Sequence, residues 1–118
     1  TRILGFVNAP TLQQKVVKAC LNEKTDISFY DRNRETLYNG LKELGFECIK
    51  PEGAFYLFVK SPVEDEKAFC AAAKKYNILI VPGSSFGCPG YVRIAYCVAY
   101  ETIVNSLPKF AELAEEYR

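Results

Sequence analysis

The amino-acid sequence predicts an α+β two-layer sandwich, in which a small, mainly antiparallel or mixed sheet of about four strands is covered by helices. Three observations carry this. The hydrophobic period changes along the chain in the order helix, helix, strand, strand, helix, strand, strand, helix. No internal repeat, low-complexity tract or linker divides these elements into separate cores. The 118 residues, 49% apolar and 25% charged, match one soluble domain that buries roughly two-thirds of its extended surface.

Residues 1–10 are apolar and end in Asn8-Ala9-Pro10, which reads as an extended lead-in and then a helix start with proline in its first turn. Leu12, Val16, Ala19 and Cys20 recur at helical spacing to about Asn22, and 22–26 is a polar break. A second helix starts near Asp26 and aligns Ile27, Tyr30, Leu37, Leu41 and Leu44 on one stripe; Gly45 ends it. Phe46 to Lys50 predicts a short strand, and Pro51-Glu52-Gly53 turns the chain into Ala54–Val59, so that the two strands form a hairpin. Ser61-Pro62-Val63-Glu64 has the pattern of a capping box with Ser61 as N-cap and Pro62 at the first helical position. The helix behind it carries Phe69, Ala72, Ala73 and Tyr76 and stops around Asn77. Ile78-Leu79-Ile80-Val81 is all apolar, as expected of a strand buried on both faces. From Ala99 to Tyr117, Ile103, Leu107, Phe110, Ala114 and Tyr117 fall at helical intervals, with Pro108 expected to kink the rod.

Between the last two strands, Pro82, Gly83, Gly87, Pro89 and Gly90 crowd into nine positions and mark a shaped loop. The strand after it alternates, with Val92, Ile94 and Tyr96 on one face and Tyr91, Arg93, Ala95 and Cys97 on the other. Arg93 is thus the candidate binding residue. Its guanidinium offers a planar fork of donors that matches a carboxylate or phosphate in bidentate fashion, although an arginine on the wet face of a half-exposed sheet fits the pattern as well.

The absences restrict the chemistry. There is no histidine, which removes the commonest general base, the Ser-His and Cys-His pairs and the usual zinc ligands; no metal site is expected. Five cysteines, Cys20, Cys48, Cys70, Cys88 and Cys97, show no C-x-x-C spacing and read as reduced thiols of a cytoplasmic protein, mostly filling the core. Fifteen basic against fourteen acidic residues leave a net charge of +1 without a basic stripe, and no long apolar run occurs, so neither a nucleic-acid nor a membrane partner is expected. The acidic runs Glu64-Asp65-Glu66 and Glu112 with Glu115-Glu116 read as solvent-facing helix surface rather than acid/base pairs. The loop from Pro82 to Gly87 could offer N–H groups to an anion but matches no phosphate-binding motif. None of the ten lysines stands in a setting that would lower its pKa for Schiff-base work; Lys60, at a strand end, comes nearest. Phe55 and Tyr56 are aromatics at a strand start, able to wall a pocket or to pack in a core. The chain lacks methionine and begins at Thr1 in mid-phrase, from which a longer parent is expected.

P-E-G-A-F-Y-L-F (51–58), I-L-I-V-P-G-S-S-F-G (78–87) and Y-V-R-I-A-Y (91–96), in this order and spacing, resemble the C-terminal small domain of fold-type I pyridoxal-phosphate aminotransferases of class I/II, the aspartate aminotransferase-like family. G-F-V-N-A-P-T-L-Q-Q (5–14) is similar to the stretch by which those enzymes leave their large domain. The resemblance implies that 1–24 is that lead-in segment and helix, and 25–118 the small domain. It implies that Arg93 grips the substrate α-carboxylate and that Phe55 lines the substrate side of the pocket. It also implies that the Schiff-base lysine, the aspartate facing the pyridine nitrogen and most of the phosphate cup lie upstream of Thr1. On that reading this chain alone has no catalytic or cofactor-binding residue and is inactive. The parent would be a homodimer that uses pyridoxal phosphate to move an amino group between an amino acid and a 2-oxo acid. A stand-alone amino-acid-binding regulatory module, and a lyase or decarboxylase of the same fold, remain open as alternatives.

Overall fold

The structure, a computed structural model, describes residues 9–117. The extended lead-in expected over 1–10 falls almost wholly outside them. Pro10 itself is extended (φ −56°, ψ 141°) and caps α1 (Thr11–Ala19) from outside rather than sitting in its first turn. Every residue of α1 is exposed.

Helix α2 (Ile27–Glu43) is capped by Asp26, whose side chain accepts from the Ser28 amide, and it buries Asn33, Leu37 and Leu41. Leu44 closes it, and Gly45 follows with φ 90°, a conformation that glycine adopts without steric cost. Strands β1 (Cys48–Ile49) and β2 (Tyr56–Lys60) form the expected antiparallel hairpin. Helix α3 (Glu66–Lys75) starts later than the sequence suggests. Its N-cap is Asp65, which accepts from the Lys67 and Ala68 amides, and Ser61 caps only a local turn. The helix stops where expected, with Asn77 in the left-handed region (φ 59°), which asparagine tolerates.

Strand β3 is only Val81–Pro82, joined by a 3-10 turn (Gly83–Phe86) to β4 (Tyr91–Ala95). The sheet order is β1-β2-β4-β3, antiparallel throughout. The run Ile78–Val81 is therefore an edge segment: Ile78 and Ile80 are buried, while Leu79 is 82% exposed. This corrects the expectation of a strand covered on both faces. Helix α4 (Tyr100–Glu115) runs on through Pro108.

Alternation then sorts the sheet. Leu57 pairs with Ile94 and Val59 with Val92, all four buried beneath the helices. Helix α2 packs on α4 and β1, and α3 packs on α4, β3 and β4, so one layer of helices covers one face. Phe46 sits at the centre of this layer, its ring 6.3 Å from Phe69 and 6.1 Å from Phe110. The other face carries no helix among the described residues. Ile49, Phe58, Arg93 and Val81 lie across it in register, one from each strand.

Candidate functional site

The open sheet face holds the candidate site because period-2 alternation puts Arg93 there, opposite Val92 and Ile94 in the core. Its guanidinium is held between two rings. The Cζ atom lies 4.1 Å from the Tyr56 centroid and 3.8 Å from that of Phe86. Tyr56 is fixed by β2, where it pairs with Ala95, two residues beyond Arg93 on the same face. Phe86 is delivered by the 3-10 turn. Among the described residues no carboxylate pairs with Arg93 and no carbonyl accepts from it. Two aromatic rings thus lie against the cation, and its N–H donors have no acidic partner among the described residues.

A hollow of about 390 Å³ adjoins this cage, lined by Ile49, Pro51, Tyr56, Phe58 and Cys88. A larger one of about 630 Å³ lies on the helix side, between Ile78–Ile80 and α4, and includes none of the residues singled out in the sequence as binding candidates. Chemistry rather than volume selects the first.

The loop 83–90 is shaped by two devices. Gly83 is buried, and a Cβ there would meet the carbonyl oxygens of Cys88 and Tyr91, the latter at 2.6 Å, so the close approach requires glycine. Glu66, in the first turn of α3, is 7% exposed; its Oε1 accepts from the Ser84 amide at 3.2 Å and its Oε2 from the Gly90 amide at 2.7 Å. Hydrogen bonds from Ser84, and then the one from Gly90, hold this carboxyl below its ordinary 4.5. Glu66 was expected to face solvent; the loop folds over it instead.

Phe55 stands elsewhere. Its ring meets Tyr30 of α2 at 5.1 Å, and its carbonyl accepts from the Tyr96 amide at 3.0 Å. The turn before it is pinned by the Tyr96 hydroxyl, which donates to the Ala54 carbonyl at 2.7 Å, and by Arg34, which donates to that of Pro51 at 2.7 Å. The rings on Arg93 belong to Tyr56 and Phe86, and Phe55 is not one of them. Tyr56 was visible in the sequence as a wall-forming aromatic; Phe86 and Glu66 carried no comparable signal.

All ten lysines are exposed, and Glu47 pushes Lys60 up, away from the range of a neutral amine nucleophile. Among the described residues no group of three or more His, Cys, Asp or Glu side chains is placed to hold a metal, and no helix is long and apolar enough to cross a membrane.

The sheet thus carries helices on one face and, on the other, an arginine beside two aromatic rings with no acidic partner among the described residues. The chain belongs to the aminotransferase class I and II family, whose model matches residues 2–107. It is similar to an aminotransferase structure from Eubacterium rectale, with TM-score 0.90 and 48% identity, over 99% of this chain and 29% of that one. The Thermus thermophilus aspartate aminotransferase with maleate gives TM-score 0.70 and 31% identity, over 73% of this chain and 23% of that one. The aromatic-amino-acid aminotransferase 2 of Thermococcus litoralis is 36% identical over 92 residues, 74% of this chain and 24% of that protein. The chain thus spans about a quarter of the length of the curated relatives it matches.

Proposed function

We propose that this chain is the substrate-carboxylate-binding small domain of an aminotransferase, with 25–118 as the domain proper and 1–24 as the segment joining it to the large domain. The parent enzyme moves an amino group between an amino acid and a 2-oxo acid, works as a homodimer and is cytoplasmic. The observation that carries this reading is Arg93, with the Tyr56 and Phe86 rings against its guanidinium and no acidic partner among the described residues. Such a cation has its orientation set and its charge unspent, which is what bidentate capture of an α-carboxylate needs.

Pyridoxal phosphate supplies the electron sink for amino transfer in this family. That every lysine here is exposed, and none desolvated as a Schiff-base amine would be, supports a covalent seat for it outside this chain. Its seat belongs to the remainder of the parent, and the chain alone is inactive. The share of this domain is to hold the acid group with Arg93 and to exclude water when the domains close, with Phe55, which stands beside Tyr30 rather than against the guanidinium, lining the substrate side away from the cation.

Two measurements test this. Pyridoxal phosphate added to the isolated chain should support no amino transfer, and transfer would refute the division of labour. In the complete enzyme Arg93→Ala should raise KM for the amino acid by roughly thirtyfold at the least, since truncating one partner of a desolvated charge pair costs about 2 to 5 kcal/mol. An unchanged KM would remove Arg93 from the site. Cofactor-free binding of an amino acid by the isolated chain would instead mark a regulatory module.

A further inference from the structure

The two rings that cover Arg93 are not equally supported. Tyr56 stands on a sheet strand flanked on both sides by paired neighbours. Phe86 stands on a loop, is 48% exposed, and keeps its place only as well as that loop does. The loop is fastened at both ends by a single side chain. One oxygen of Glu66 takes the Ser84 amide, where the 3-10 turn begins, and the other takes the Gly90 amide, immediately before β4. Each oxygen holds one end, so the carboxylate closes the loop as a ring and spans the segment that carries Phe86. The bonds are charge-assisted and nearly out of water, the setting in which they hold most strongly.

We propose that Glu66 is a positioning residue for Arg93: by tying Ser84 to Gly90 it seats the Phe86 ring on the guanidinium and thereby fixes the direction in which the arginine presents its donor edge to a substrate carboxylate. The proposal rests on the reading of Arg93 given above. Arginine carries a large rotamer entropy, and each face that is covered in advance removes freedom that binding would otherwise have to remove. Without the Glu66 carboxylate the two amides lose their partner, the loop opens, and only the Tyr56 side of the cage remains. Replacement by glutamine leaves one acceptor oxygen and turns an amide N–H₂ toward a second donor, so it breaks one end of the ring and keeps the other.

The test uses the complete enzyme and compares kcat/KM for an amino acid with that for the corresponding amine, which lacks the carboxylate. Glu66→Ala should lower the ratio of the two by roughly 10- to 100-fold, the cost of a misplaced binding group. Glu66→Gln should lower it by less. Phe86→Leu should lower it too, and Glu66→Ala with Phe86→Leu together should do no more than the worse of the two, because both act through one contact. A loss that falls equally on amino acid and amine, leaving the ratio unchanged, would overturn the proposal, since a merely structural glutamate behaves in that way. If neither Glu66 variant folds, Phe86→Leu alters an exposed side chain and decides alone; an unchanged ratio again overturns it. Arg93→Ala separates the two layers: if it leaves the ratio intact, the reading of Arg93 fails, whereas a ratio lost in Arg93→Ala and kept in the others defeats only the role of Glu66.

Discussion

Asn33 on α2 donates from Nδ2 to the carbonyl of Tyr96 at 3.0 Å, across 63 positions of sequence, and to that of Val98 at 2.8 Å. It is fully buried, and it ties the end of β4 to the second helix at the point where the chain turns toward α4. Asn33→Ala strands two carbonyls out of water. The expected cost is about 1 to 3 kcal/mol, read as a lower urea midpoint with an unchanged slope. Asn33→Asp should cost more, because it turns an acceptor toward those carbonyls.

Gly83 leads to a second expectation. Its missing side chain makes room for the carbonyls of Cys88 and Tyr91, which are backbone and cannot swing aside. Gly83→Ala should destabilise the domain by about 1 to 3 kcal/mol, as overpacking does, and should weaken amino-acid binding in the complete enzyme because the same loop carries Phe86. Thermal melting and KM check the two halves separately.

The titration of Glu66 sets a pH window. Its folded carboxyl lies below the ordinary 4.5, so its contribution is fully present above that value and is lost as pH falls through the lowered one. The difference in unfolding free energy between the native chain and Glu66→Gln should therefore stay flat from neutral pH down to about 4.5 and shrink below it. A difference that grows toward acid would contradict the assignment of Ser84 and Gly90 as its donors.

The cysteines divide by burial. Loss of hydration pushes the Cys48 thiol up to about 11 and raises that of Cys70 as well. Cys20 and Cys97 are exposed. Brief alkylation at pH 8, mapped by mass spectrometry, should label Cys20 and Cys97 and leave Cys48 and Cys70 until the chain is unfolded.

Most of the fold was legible in the sequence because it is written in local periods. The Leu37 and Leu41 part of the α2 stripe, the alternation that puts Leu57 and Val59 beneath the helices, and the opposite alternation that lifts Arg93 out of the core all follow from spacing alone, whereas Ile27, expected on the same stripe, is 75% exposed in the first turn of α2. What could not be read depends on partners distant in sequence. An apolar run such as Ile78–Val81 looks the same at a sheet edge as at its centre, because pairing is decided by the order of the strands. Ser61-Pro62 and Asp65 both offer cap chemistry, and the choice falls to Asp65, whose oxygen reaches two amides. Glu66 sits in an acidic run that predicts solvent, and its donors arrive from 18 and 24 residues away. Within the candidate site, the placement of Arg93 on the open face of the sheet follows from its strand, but its contact with Phe86 does not, since nothing local ties a loop aromatic to a cation seven positions later.

One consequence of α1 concerns how the chain comes apart. Its nine residues are all exposed, and a helix needs roughly 12 to 15 residues before it persists in water on its own. Its amides should therefore exchange with deuterium orders of magnitude faster than those of Val59 and Val92, giving two kinetic classes rather than one. A chain started at Asp26 should keep the slow class unaltered, which would locate the cooperative unit of unfolding in the sheet and the three helices that cover it.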